Sequence, residues 1–437
     1  MRTPAVAALL AMTGSFALSW APAASASPGC ETGPLGAAGN YAEFVEHDAT
    51  RYADSEGAVA IGGEAHLGDA GTGQGFSVGS KLTGGDLNKL PGGHSLVVGG
   101  TLHANQVVLT QGSGVYGKLA PTASQGSFAL DGKHAQGSSP VDFGQEFAKL
   151  RALSAAWAAT TPNGTAARPE GSTALLLTGE DSTVNVFAVN ATDLQQATEI
   201  NVKVPAGSSA LVNVLGSSYN MNSAPTYGVN LWDAQAGAFV QDDYAAGGPG
   251  FKDARSRLLW NFPEAASVVK NYTSWPGTIL APNATVELGR KGPGGEIGPG
   301  HVNGSVIARE LRSVPGAETH HMGFTGCLPT ARAASGTTET SETTETSEAP
   351  APPAPAPAAS PEPTPVKVPE QPKPTPSATE TSPEPDPGPS VHGGGDDLAS
   401  TGGEIGPGAF GIGAAVLLVG GGLVAYSVHR RQARTSA

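Results

Sequence analysis

Two stretches of this chain repeat one design: "AVAIGGEAHL" over residues 58–67 and "SLVVGGTLHA" over residues 95–104. Each is a short apolar run, a glycine pair, and a second run in which apolar and polar residues alternate. Alternation with period two sorts side chains onto the two faces of a strand. Related runs follow, "GFSVGSKL" and "QVVLTQGSGVYGKL", and later "STVNVFAV", "EINVKVPAG", "SALVNVLG", "GTILAPNATVEL" and "HVNGSVIAREL". Many short strands with Gly or Asn at the breaks restrict the chain to an all-β sandwich, barrel or solenoid. The recurrence of the glycine pair favours a β-solenoid, a β-helix-like coil, because stacked rungs place equivalent glycines at equivalent corners.

One helix interrupts the strands. Phe143, Phe147, Leu150, Leu153 and Trp157 recur at three- and four-residue steps and so share one face, which predicts a core-packed flanking α-helix. At about 20 residues it would span about 30 Å, some six strand spacings, enough to carry the chain back along a solenoid. Cys30 and Cys327 are the only cysteines, and in an oxidising compartment a lone pair at the two ends of a domain pairs as one disulfide. A lipoprotein cysteine at position 30 is disfavoured, since Ser27 and Pro28 stand where an aliphatic lipobox is needed. A disulfide requires Cα atoms within about 7 Å, whereas the ends of a one-way solenoid lie many rungs apart. The predicted domain is therefore a discontinuous solenoid whose first segment lies next to its last, with a closed loop contributing on the order of 4 to 5 kcal/mol.

The oxidising address is read from the N-terminus. Arg2, the apolar run that follows and "ASA" at Ala24–Ala26 form an export signal, with cleavage expected between Ala26 and Ser27. Composition agrees: charged residues are 14% against a typical value of about 25%, which suits a turn-rich secreted β protein better than a helical enzyme. The net charge of −14 excludes nucleic acid as a partner.

The domain is expected to occupy residues 27–330. Residues 331–397, rich in Pro, Thr and Glu, have no apolar periodicity and cannot bury enough surface to offset their ordering entropy. This segment is expected to be a disordered wall-spanning stalk, reaching about 150 to 200 Å where it is polyproline II.

The stretches "PLGAAGNYAEFVEHDATRYADSEGAVAIGGEAHLGD", "VNVFAVNATDL", "VPAGSSALVNVLG" and "LLWNFPEAASVVKNYTSWPGTILAPNATVELG" resemble, in order, the choice-of-anchor A domain. The resemblance covers nearly all of residues 32–326 and implies a secreted, β-rich surface domain with an adhesive role. It supplies no catalytic residue.

The remaining residues, 398–437, resemble a sortase sorting signal. Leu398, Ala399, Ser400, Thr401 and Gly402 form "LASTG", similar to the LAxTG motif of class E sortase substrates. The run from Ala409 to Val428 is apolar and about 20 residues long, enough for a transmembrane helix, and Arg430, Arg431 and Arg434 would hold its end on the cytoplasmic side. The resemblance implies that a class E-type sortase thiolate attacks the Thr401 carbonyl, releases Gly402, and passes the acyl group to a peptidoglycan precursor amine. The chain would then be membrane-held only before sorting. A plain transmembrane anchor without cleavage is the alternative.

Few residues suggest chemistry. "GSGVYGKL" places Gly112, Gly117 and Lys118 at phosphate-loop spacing, but Leu119 stands where a magnesium-binding hydroxyl belongs, so a glycine-rich rung corner is expected. No HExxH, CxxC or GxSxG motif occurs, and neither a metal, a cofactor nor a catalytic group is expected. His320 and His321 are expected in a solvated turn, and the pairs Glu180–Asp181 and Asp242–Asp243 on solvated surface. The glycosylation-type asparagines Asn163, Asn190, Asn271, Asn283 and Asn303 are expected in loops and turns. Trp232, Trp260, Trp275, Tyr227 and Tyr244 are candidates for a binding surface, with at least two of these aromatics expected in the core. The expected function is a cell-wall-anchored, non-enzymatic surface protein that displays an adhesive domain toward an unknown surface or matrix ligand. The alternative, by fold analogy alone, is a wall-tethered polysaccharide lyase or hydrolase. Ice binding is disfavoured by the absence of regular Thr-x-Thr ranks.

Overall fold

The computed structural model describes residues 29–122, 127–224, 226–245, 248–289 and 300–330. The expectations for residues 1–26, the Ala26/Ser27 cleavage, the stalk at 331–397, Leu398, Ala399, Ser400, Thr401 and Gly402, and the apolar run all lie outside these residues. Among the described residues no helix is long and apolar enough to cross a membrane.

The core is a parallel β-solenoid. Its longest side stacks ten strands in the order His134–Gln136, Ser113–Pro121, His94–Ala104, Val59–Ile61, Glu43–Val45, Val306–Ser313, Thr278–Leu288, Leu258–Asn261, Ser209–Leu215 and Val184–Asn190. The chain enters in the middle of this stack at Glu43–Val45 and winds outward to His134–Gln136. It restarts at the far end with Val184–Asn190 and winds back until Val306–Ser313 pairs with Glu43–Val45. The first rung thus lies against the last, as the disulfide argument requires. Cys30 and Cys327 are bonded with Cα atoms 5.4 Å apart, and their strands, Cys30–Thr32 and Cys327–Pro329, pair antiparallel.

Each complete rung has three strand stretches, so the coil has three sides. The second side holds residues 118–121, 101–104, 65–67, 49–51, 310–313 and 285–288, followed by Ser267–Val269 and Ser218–Asn220. The third includes Val107–Leu109, Phe76–Val78, Thr319–His321, Val302–Gly304 and Trp275–Pro276, with Ser55 bridging its two halves. Inward residues stack in columns: Leu102, Ala65, Ala49, Leu311, Val286, Val268 and Tyr219 are register neighbours and all are buried. Trp260 and Trp275 also point inward, their rings 4.8 Å apart.

The glycine pairs form the expected corner. A Cβ on Gly99 would lie 2.3 Å from the Gly62 carbonyl oxygen, and one on Gly117 would lie 2.6 Å from that of Gly99. Three successive rungs therefore touch backbone to backbone where any side chain would hold them apart. This places Gly117 at a rung corner rather than in a phosphate loop.

The flanking helix runs over Phe143–Ala158, so it is shorter than expected: 16 residues, or about 24 Å. Asp142 caps its start by accepting from the Gln145 N–H at 3.0 Å. It covers the outer surface of the longest side, where Phe147 stacks on Phe44 with ring centroids 5.5 Å apart. Ser154 occupies the same buried face and is part of a polar ladder. The Asn261 amide donates to the Ser154 carbonyl and to Asn213 Oδ1, both at 2.9 Å, and Asn213 donates to the Trp157 carbonyl at 2.9 Å. Three shorter α-helices also occur among the described residues, Gly84–Leu87, Ala191–Gln195 and Pro249–Ser256, where the sequence predicted none.

Where the first segment meets the last, a charged pair lies inside the coil. Arg51 donates to the Glu43 carboxylate from Nε and Nη2 at 2.8 to 3.0 Å, to the Ala317 carbonyl at 2.9 Å and to Thr319 Oγ1 at 3.2 Å. Both side chains are fully buried, so each supplies the partner that burial of the other demands.

Candidate functional site

Two regions offer exposed or chemically active groups. The first is the outward surface of the second side. His103, His66, Thr50, Arg312 and Glu287 are register neighbours on consecutive rungs, each exposed or half-buried. A parallel column includes Lys118 beside Thr101, and Glu310 beside Thr285. Rungs about 4.8 Å apart give this side a regular repeat. The His66 and His103 rings stack at 4.1 Å with planes 5° apart, which follows from the repeat: each histidine is three residues past its glycine pair. Burial and the neighbouring His103 hold His66 below its ordinary pKa.

The second region lies on the outward surface of the third side. His320 and Asn303 are register neighbours, and His301 and Glu318 flank them. His320 Nδ1 lies 2.6 Å from Asn303 Oδ1, and His320 Nε2 lies 3.3 Å from Glu318 Oε2. His301 Nδ1 is 3.9 Å from the same carboxylate oxygen. The Asn303 amide donates to Asp242 Oδ2 at 2.7 Å and to Ser274 Oγ at 3.0 Å. Ser274 Oγ donates to Asp242 Oδ2 at 2.7 Å, and Arg255 Nε donates to Asp242 Oδ1 at 2.6 Å. Tyr244 covers the cluster, its ring 4.0 Å from that of His320 and its hydroxyl donating to Glu56 at 2.9 Å. Burial holds His301 below its ordinary pKa, with His320 adding to the effect. The hydrogen bond to His320 lowers that of Glu318. Beneath the cluster, the Lys270 amine donates to the carbonyls of Thr273, Gly300 and Asn271 at 2.5, 2.6 and 3.2 Å. Burial pushes it down to about 7, and Asp242 acts in the opposite direction.

These positions correct several expectations. His320 is buried in a strand rather than in a solvated turn, because its imidazole is hydrogen-bonded on both nitrogens. His321 is half-buried, 3.8 Å from Asp86. Asp242 is buried, matched by Arg255, while Asp243 beside it is exposed; Glu180 is exposed and Asp181 half-buried. Of the five asparagines, Asn283 and Asn303 lie within strands and Asn190 ends one. Asn271 is wholly buried, donating to the Thr226 carbonyl at 2.7 Å. An asparagine can satisfy rung backbone as well as terminate it, which its loop preference does not reveal. Tyr227 and Tyr244 are exposed, and Trp232 is half-buried with Lys203 Nζ 4.0 Å from its ring centre. Trp232 also lines an apolar cavity of about 250 Å³ with Val202, Leu231 and Phe251.

His301 and Glu318 are site residues that motif reasoning missed, and the motif that marks Asn303 points to a loop rather than to this cluster. The available signal was the Glu318-x-His320 spacing, which puts both side chains on one face of a strand.

Three sides, a helix on one and an outward polar array on another define a discontinuous β-solenoid. Residues 34–321 match the family described as "Putative Ice-binding-like adhesive domain", and the chain belongs to that family. Comparison with curated proteins finds no match. Among solved structures, an ice-binding protein from the Antarctic ascomycete Antarctomyces psychrotrophicus is 13% identical, with 65% of this chain and 96% of that chain covered and a TM-score of 0.28. A Shewanella frigidimarina ice-binding protein domain is 12% identical over 65% of this chain and 95% of that chain, with a TM-score of 0.24. Scores at this level constrain neither fold nor ligand.

Proposed function

We propose that this protein is an exported surface protein whose solenoid adheres to a surface or matrix polymer through its second side. The observation that carries the reading is the regular array of outward His, Thr, Arg and Glu side chains on consecutive rungs, in a chain of an adhesive family. A repeating array meets a repeating ligand at several rungs at once, so weak contacts multiply. The threonines Thr50, Thr101 and Thr285 are interspersed with charged groups, so a polar polymer rather than ice is the surface proposed.

The proposal extends to display. After export and cleavage between Ala26 and Ser27, residues 27–330 would be carried outward on the 331–397 stalk. A class E-type sortase would cleave Thr401 from Gly402 and attach Thr401 to a peptidoglycan precursor amine. Muralytic digestion of cells expressing the full chain tests attachment: release of a protein of the trimmed mass supports it, and no release rejects it. Deleting residues 27–330 while keeping the stalk and sorting signal tests adhesion, and unchanged adherence rejects that part.

A further inference from the structure

We infer that His301, Glu318 and His320 form a binding site for one divalent transition-metal ion of the zinc type. Two imidazoles and one carboxylate are a donor set that suits zinc, and their ligand atoms all lie within 4.8 Å of one another. Bonds of about 2.0 to 2.2 Å in tetrahedral geometry put neighbouring ligand atoms roughly 3.3 Å apart. His320 Nε2 and Glu318 Oε2 already stand at 3.3 Å, and His301 Nδ1, 3.9 Å from the same carboxylate oxygen, needs to move in by about 0.6 Å.

The surrounding hydrogen bonds prepare the site. Asp242 can only accept, so the Asn303 amide must direct its NH₂ toward Asp242 and Ser274 and its oxygen toward His320. The His320 Nδ1 then carries a proton held by Asn303, so release of the proton that Nε2 shares with Glu318 exposes the Nε2 lone pair to an ion between His320, Glu318 and His301. Metal-binding histidines are held in this way, with the second ring nitrogen donating to an oxygen outside the ligand set. His301 provides the second, independent sign: its Nδ1 is buried and has no hydrogen-bond partner. A hydrogen-bonded His–Glu–His cluster without metal leaves that nitrogen unsatisfied, whereas a shared ion satisfies all three groups. The inference does not depend on which side of the coil adheres.

The whole protein, stripped with chelator, is titrated with Zn²⁺ by calorimetry. The exposed group Glu64, His66 and His103 could also collect metal, so His66→Ala/His103→Ala serves as the reference background. One Zn²⁺ per chain is expected in that background, at least tenfold weaker in Glu318→Gln and in His301→Ala added to it. Co²⁺ substituted for zinc should give visible d–d bands that the same changes abolish. Glu318 is 40% exposed, so the isosteric Gln variant should keep the metal-free denaturation midpoint of its parent; His301→Ala gives the second reading. No Zn²⁺ bound in the reference background, or binding unaffected by both ligand substitutions, overturns the inference.

Discussion

Replacing Gly99 by alanine tests the rung stacking at its tightest point. The added Cβ would sit 2.3 Å from the Gly62 carbonyl oxygen, a backbone atom that cannot rotate away. Ordinary contact begins near 3.4 Å, so the rungs must part locally by about 1 Å. The adjacent Gly100 N–H to Gly63 carbonyl bond is 2.9 Å, and stretching by that amount takes it beyond hydrogen-bonding range. Overpacking of this kind costs roughly 1 to 3 kcal/mol, and losing the bond adds about 1 kcal/mol, for an expected loss of about 2 to 4 kcal/mol. With a urea m-value near 3 kcal/mol/M the denaturation midpoint should fall by about 1 M. Gly250→Ala is the control: nothing lies within 4 Å of its Cβ position, and it falls within the helix Pro249–Ser256. There alanine should be neutral or stabilising by up to about 1 kcal/mol. If Gly99→Ala changes stability by less than about 0.5 kcal/mol, the corner stacking is wrong.

Other consequences follow from the buried polar groups. Arg51→Met should destabilise by about 3 to 5 kcal/mol by leaving the Glu43 carboxylate unpaired inside the coil, and Glu43→Gln added to it should recover much of the loss; an equal or larger loss in the double variant contradicts the pairing. Asn261→Ala removes the bonds to Ser154 and Asn213 and should cost about 2 to 4 kcal/mol, with faster amide exchange concentrated in residues 143–158. Burial lowers the pKa of both His66 and His94 in the fold. The unfolded chain therefore takes up these protons first as pH falls through 6.5, and stability declines below that pH. A melting series from pH 8 to 5 should show this decline, and His66→Asn/His94→Asn should reduce it; an unchanged slope rejects the assignment.

Much of the coil could be read from residues alone because its determinants are local. The glycine pairs at 62–63 and 99–100 mark a corner, and the alternation around His66 and His103 fixes which side chains face out. Cys30 with Cys327 supplied the one long-range restraint, and it implied that the chain doubles back. What stayed hidden was long-range and polar. Arg51 reads as a surface arginine until Glu43, Ala317 and Thr319 are brought around it. Asp242 reads as half of an exposed acidic pair until the helix Pro249–Ser256 brings Arg255 against it. His320 is oriented by Asn303, 17 positions away, and no motif connects them.

If the second side is the adhesive surface, charge added to its outward positions should abolish adherence. Cells displaying the full chain are compared with cells displaying Thr50→Glu/His66→Glu/Thr285→Glu, matched for surface amount, for adherence to immobilised wall polysaccharide and to matrix-coated wells. These outward positions are half-exposed or exposed, so the coil should tolerate the changes. Adherence is expected to fall at least tenfold in the variant; equal adherence of the two would exclude the second side as the adhesive surface.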